Sequence, residues 1–207
     1  VETVALRKKT IKPCAGCFSC WTKTPGDCIH QDDMTRELFP RWLESDLVIY
    51  ATPLFHHTVN ATMKTFIERT WPICEPFLVE REGRWFHPLR SKHPGVVFLS
   101  VCGFPAMTAF GGLTHYVKFL YEAQEKGTLW AEIYRPGAEY MRYRNDKQKD
   151  GGKDARPQEQ LDCRVTHKLA EFDDGEDPHF HDFLEWHGLY IVWLKREQTY
   201  RDLLGRQ

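Results

Sequence analysis

Two nearly uninterrupted apolar runs, Leu47 to Ala51 (LVIYA) and Val96 to Val101 (VVFLSV), limit what this chain can fold into more than any other feature. A strand with one wet face alternates apolar and polar residues. A run that is apolar throughout marks a strand covered on both faces, as in parallel sheets. Helical stripes lie between them. Met34, Leu38, Trp42 and Leu43 recur at helical spacing behind Asp32 or Asp33 as cap, and Glu44-Ser45-Asp46 closes that helix. Within Ala61 to Trp71, Met63, Phe66 and Ile67 face inward, with Lys64, Glu68 and Arg69 turned outward. A third helix is expected from about Leu113 to Lys126, with Gly127 as its stop. Val1 to Leu6 reads as a short strand, TLWAEIYRPG as the last clear one, and Glu82-Gly83-Arg84 as the tip of a hairpin. Strand, loop, helix and strand repeated at these spacings predict an α/β, doubly wound parallel sheet.

The 207 residues are 42% apolar and 28% charged, ordinary for one globular domain with appendages. A net charge of -1 gives no concentrated basic surface for nucleic acid or an anionic membrane, so neither partner is expected. No apolar run approaches the roughly 20 residues that span a bilayer. The opening VETVALRKKT has no signal-peptide core, and seven cysteines, an odd number with four crowded together, suit a reducing, cytoplasmic setting. After Met141 the composition turns charged and rich in Gly and Asp. The division expected is a domain over 1–141, a linker or arm over 142–160, and an aromatic-rich extension over 161–207. The extension's Phe183 to Trp193 stretch should dock on the domain or a second subunit.

The crowded cysteines are Cys14, Cys17, Cys20 and Cys28, in the order C-x2-C-x2-C-x7-C. Three thiolates at two-residue gaps with a fourth arriving later can wrap a [4Fe-4S] cluster. A single zinc fits less well, because structural zinc sites usually draw pairs of thiolates from two separated knuckles. Unligated or redox-paired thiols are the plain alternative.

In doubly wound sheets ligands sit beyond the carboxyl ends of the strands. Two loops start there: ATPLFHHTVNATMK after the first buried run and SVCGFPAMTAFGG after the second. Each joins small residues, which let backbone amides approach a ligand, to an aromatic that suits a flat ring such as flavin.

The run PCAGCFSCWTKTPGDCIHQDDM, followed by SDLVIYATPLFHHTVNATMKTFIERTW, resembles the flavodoxin-like NAD(P)H-dependent FMN reductases, in particular their iron-sulfur flavoprotein branch. Cys14, Cys17, Cys20, Cys28, Asp32, Asp33, Met34, Thr52, Pro53, Leu54, Phe55, Lys64 and Arg69 stand where that pattern expects them, and the resemblance covers roughly residues 1 to 137. It implies FMN held by the Thr52 to Asn60 loop (Thr52, Pro53, Leu54, Phe55, His56, Asn60) and the Cys102-Gly103-Phe104 turn. It also implies NAD(P)H as electron donor, a small-molecule or protein acceptor, and a homodimer or homotetramer with flavin near a subunit interface. One departure concerns the family's first strand and phosphate-binding loop, which have no counterpart ahead of VETVAL, so that roughly thirty residues of the pattern are missing. LYIVWL at Leu189 to Leu194 is the other strand-like run, but it brings no phosphate loop and is not expected to fill that place.

Several single residues admit two readings. His56 beside Phe55 suits hydrogen bonding or proton transfer at a flavin, as does His57; both also serve as ordinary loop histidines. His179 and His181 in DPHFHD have ligand chemistry, though such a pair in a tail is more often incidental. Cys74 and Cys163 read as packing thiols. Two functional classes follow: an FMN-dependent oxidoreductase or electron-transfer flavoprotein, with or without a [4Fe-4S] cluster, and a non-enzymatic cysteine-based metal or redox sensor, or flavodoxin-like remnant.

Overall fold

The computed structural model describes residues 1–122, 128–138, 164–165 and 190–194. The strands are β1 (Glu2–Ala5), β2 (Leu47–Pro53), β3 (Val79–Arg81), β4 (Arg84–Phe86), β5 (Gly95–Val101), β6 (Leu129–Arg135), β7 (Arg164–Val165) and β8 (Tyr190–Leu194). The helices are α1 (Ser19–Thr22), α2 (Phe39–Glu44), α3 (Ala61–Glu68) and α4 (Gly111–Tyr121). Six strands form one sheet in the order β1-β8-β2-β5-β6-β7. β2, β5 and β6 are parallel neighbours, and β8 runs antiparallel to both β1 and β2. The fold is a flavodoxin-like α/β arrangement with this parallel trio at its heart.

The continuous apolar runs become strands buried on both faces. One face carries Val48, Tyr50, Val96 and Phe98 into the main core, and Ala51, Val97, Leu99 and Ala131, pointing the other way, are also buried. Helices α2, α3 and α4 meet on the first face around Tyr50. Trp42 Nε1 of α2 donates to the Tyr50 hydroxyl at 2.8 Å, and the rings of Phe66 (α3), Phe98 and Tyr121 (α4) stand 6.1, 5.0 and 6.2 Å from it. Burial pushes the Tyr50 hydroxyl far above its usual range, so it stays protonated and can both accept and donate.

The ends of the helices follow local chemistry. Asp32 Oδ1 accepts from the Thr35 N–H at 3.3 Å, and the first turns, Met34–Leu38, are wound wide as a π segment before α2. Pro40 supplies the reason: its ring would clash with the Arg36 carbonyl four residues back, and the wider winding relieves it. Asn60 caps α3, accepting from the Met63 N–H at 2.9 Å, and α3 stops short of the expected Trp71 because Pro72 cannot continue it. Helix α4 begins two residues before the expected Leu113 and is described to Tyr121; Gly127 lies outside the described residues. The hairpin β3–β4 forms as expected, with Glu82 (φ 50°) and Gly83 (φ 75°) left-handed at its tip.

Two expectations need correction. The slot between β1 and β2, which the 2-1-3-4-5 order gives to the family's first strand, is taken by β8. A phosphate loop bears on ligand binding; what a central slot demands is a partner for the backbone N–H and C=O groups on either side, and an apolar strand of either direction meets that. Arg69, expected on the solvent face of α3, is buried at 2% exposure. Residues 142–160, Cys163, His179, His181 and the Phe183–Leu189 part of the aromatic stretch lie outside the described residues. Among the described residues no helix is long and apolar enough to cross a membrane.

Candidate functional site

The cysteine loop leaves the 3-10 turn after β1 and returns at Asp32. Left-handed Gly16 (φ 63°) and Phe18 (φ 53°) turn the chain sharply, and α1 supplies one helical turn between Cys17 and Thr22. The rest is laced by local bonds: Gly26 N–H to the Cys20 carbonyl at 2.9 Å, Thr24 Oγ1 to the Asp27 carbonyl at 2.9 Å, and Cys28 N–H to Asp27 Oδ1 at 2.8 Å. Trp21 anchors one side, its ring 5.4 Å from Trp71, 4.6 Å from His87 and 5.2 Å from Phe18.

All four cysteines line one cavity of about 350 Å³, together with Phe18, Ile29, His30, Arg69 and Trp71. The sulfurs influence one another: burial, and then the neighbouring Cys28, Cys14 and Cys17, push the Cys20 thiol up, while the Ser19 hydroxyl and backbone N–H pull Cys17 down. Cys74 sits close behind; its thiol is pushed up to about 11 by burial and by Cys20, which suits the packing role. Among the described residues no three Cys, His, Asp or Glu side chains close on one point as a single ion requires. A cubane binds each thiolate through a different iron, so its ligands stand further apart, and that donor set fits four cysteines around a shared cavity. His30 and Arg69, two residues of the cavity wall, each bury a nitrogen, Nε2 and Nε, that makes no hydrogen bond of good geometry within the protein.

Arg69 falls where the family pattern expects it, but its buried role was not foreseen, since helical spacing turned it outward. From the end of α3 its guanidinium makes a two-pronged bond with Asp32, at 2.8 and 3.0 Å, and also donates to the Lys12 carbonyl at 2.6 Å and Thr35 Oγ1 at 3.0 Å. Burial alone would raise the Asp32 carboxyl, but Arg69 and the Lys12 N–H outweigh it and hold it at about 2. Burial likewise works against the charge on Arg69, yet Asp32 and Cys28 raise its pKa overall. Asp32 does both jobs, capping the helix start through the Thr35 N–H and, being buried, requiring a cation partner.

The second candidate region joins the loops after β2 and β5. They meet: Leu54 N–H donates to the Val101 carbonyl at 2.9 Å, His57 Nδ1 lies 2.9 Å from the Ala109 carbonyl, and the His57 ring stacks on Phe104 at 5.7 Å. Phe55 and Thr58 exchange two bonds of 3.0 Å across His56 (φ 48°) and His57 (φ 62°), a two-residue hairpin turn of the type that favours Asn-Gly. Two consecutive left-handed histidines are strained, and such strain gathers at functional loops. Gly112 of α4 makes room, since a Cβ there would lie 2.7 Å from the His57 carbonyl. The candidate flavin residues divide into two groups. Thr52, Asn60 and Cys102 are buried and already bonded: Thr52 Oγ1 to the Pro53 carbonyl, Asn60 to Met63, Cys102 Sγ to the Phe104 carbonyl at 3.6 Å. Phe55 (59% exposed), Phe104 (58%), His56 and Gly103 form the accessible surface, with Pro53 and Leu54 half-buried between. Exposed rings beside small residues at two parallel strand ends fit a flat aromatic guest.

Residues 1–99 match the family described as NADPH-dependent FMN reductase. Over 72 residues the chain is 46% identical to a protein named iron-sulfur flavoprotein from Archaeoglobus fulgidus, a stretch covering 35% of this chain and 31% of that one. It is 32% identical over 72 residues to an iron-sulfur flavoprotein of Methanocaldococcus jannaschii, covering 35% of this chain and 36% of the relative. The match thus spans about a third of the length of these curated relatives. No solved structure gives a significant match. The resemblance to NADPH-dependent FMN reductases and iron-sulfur flavoproteins therefore holds, over residues 1–99 for the first and over a 72-residue stretch for the second.

Proposed function

We propose that this chain is part of an NAD(P)H-dependent, FMN-containing oxidoreductase that moves electrons through a [4Fe-4S] cluster held by Cys14, Cys17, Cys20 and Cys28. The observation that carries the reading is the single cavity lined by all four cysteines, with Arg69 and His30 in its wall. When bound, FMN accepts a hydride from a nicotinamide and the cluster accepts and releases single electrons, which together convert two-electron to one-electron chemistry. The protein's part is binding and shielding. Phe55 and Phe104 offer ring faces at the strand ends, Thr52 and Asn60 keep the loop in shape from beneath, and His56 stands at the accessible surface as a hydrogen-bonding and proton-carrying group. At the other region Phe18, Ile29 and Trp71 give the cavity an apolar rim that limits water. The acceptor is a small molecule or a protein, and the assembly a homodimer or homotetramer in the cytoplasm.

Anaerobic reconstitution with iron and sulfide tests the reading. About four irons and four labile sulfides per chain are expected, reduced to background when Cys20 is replaced by Ser, with flavin absorbance quenched or shifted on titration with FMN. A chain that takes up no iron while retaining its fold by circular dichroism contradicts the cluster, and one that ignores FMN contradicts the flavin.

A further inference from the structure

The stretch that carries all four candidate ligands, residues 13–31, begins and ends at one place. The Lys12 N–H donates to Asp32 Oδ2 at 2.8 Å while the Lys12 carbonyl accepts from Arg69 at 2.6 Å. Further out, the Thr10 N–H donates to Asp33 Oδ2 at 2.7 Å and the Asp33 N–H to the Thr10 carbonyl at 3.2 Å. Arg69 ties the two limbs of this neck together, bonding both Lys12 and Asp32. It stands at the C-terminal end of α3, whose Met63 and Phe66 are fixed in the core, so the position of the neck relative to the sheet is set by packed residues. The same guanidinium forms part of the cavity wall, keeps Nε buried without a hydrogen bond of good geometry, and lies near enough to Cys28 for that sulfur to reinforce its charge.

We propose that Arg69 is a positioning residue for the four-cysteine site: it holds both limbs of the loop, so that Cys28 returns to the cavity lined by Cys14, Cys17 and Cys20 before any metal arrives. This rests on the iron-sulfur reading above. The physical argument is preorganisation. The seven-residue gap before Cys28 would otherwise have to be ordered during metal binding, and that loss of freedom would weaken retention of the fourth ligand. A buried charge in the wall has a second effect, on how readily the site takes up an electron.

The test uses the full chain, reconstituted anaerobically, as wild type and as Arg69→Gln, Arg69→Lys, Asp32→Asn and Trp42→Phe. Two quantities are read: the rate at which a ferrous chelator strips the iron, and the midpoint potential. Arg69→Gln and Asp32→Asn should release iron on the order of ten-fold faster, as removal of supporting groups does at other metal sites. Arg69→Lys should fall between them and wild type. Trp42→Phe breaks the bond to Tyr50, away from the loop, and should lower thermal stability without changing iron release. The potential should move negative in Arg69→Gln, which loses a positive charge, and positive in Asp32→Asn, which loses a negative one. Iron release that follows only the melting temperature across all variants, or potentials that stay put, overturns the proposal while leaving the iron-sulfur reading standing. A wild type that loads no iron removes both. Should Arg69→Gln fail to fold, Arg69→Lys and Asp32→Asn carry the same comparison.

Discussion

The two candidate regions are built on opposite plans. The cysteine region is a loop closed at its neck by a buried ion pair and hollow in the middle, with its chemistry on side chains around a cavity. The region at the ends of β2 and β5 has its polar side chains turned inward to hold backbone, and presents rings and a strained turn outward. The first therefore suits a guest enclosed and bonded by side chains; the second suits a flat guest laid on a surface. Stability should depend on them just as unequally.

Replacing Arg69 with Met should separate the two most sharply. It strands the Asp32 carboxylate in the interior, and unfolding in denaturant should show a loss of about 3–5 kcal/mol. Phe55→Ala at the exposed loop should cost under about 0.5 kcal/mol and act on FMN binding alone; equal stability losses would erase the contrast. Gly112→Ala comes next, with an expected loss of about 1–3 kcal/mol from overpacking against the His57 carbonyl. Its FMN titration should weaken while iron loading stays at the wild-type level.

Acid offers a graded version of the same contrast. Asp32 is held at about 2 in the folded protein against an ordinary value near 3.8. Its contribution, about 2 kcal/mol, is thus complete above pH 4 and disappears as pH falls toward 2. His93, between Trp42 and Tyr121, is pulled down to about 4 by burial, against 6.5. A depressed histidine favours the neutral form, so its contribution is present above pH 6.5 and is lost as pH falls toward 4. Denaturation across pH should show two successive declines, the upper one removed by His93→Phe and the lower by Asp32→Asn; both declines persisting in either variant would refute the assignment. The smallest effect concerns the turn. His56→Asn supplies a residue that tolerates the left-handed conformation and should raise stability by roughly 0.5 kcal/mol, visible as a small rise in melting temperature.

What the sequence made legible follows the range of the forces involved. β2 and β5 are written in local apolar runs, the cap at Asp32 in a single residue, and the cysteine site in a spacing within one loop. Arg69 was misplaced because a helical wheel reports only neighbours on the helix. Glu68 and Arg69 look alike on it, yet the acid is exposed in a pair with Lys64, and the arginine finds Asp32 across 37 positions. The π winding before α2 was hidden because it arises from one proline ring rather than from any periodicity. β8 was judged by the chemistry of the loop it lacks rather than by the hydrogen bonds its neighbours need.

The place of β8 has a consequence in time. It joins Leu47 to Leu194 and Glu2 to Trp193, and β1 has no other sheet neighbour among the described strands. Loops of this length close slowly, and contacts of high sequence separation retard folding. A polypeptide emerging from the ribosome can pair β2, β5 and β6 as each appears, but it must wait for Tyr190–Leu194 before β1 is stitched to the rest. Until then the segment leading into the cysteine loop has a neck but no sheet behind it, so metal loading ahead of the synthesis of β8 would meet a site whose frame is still open on one side.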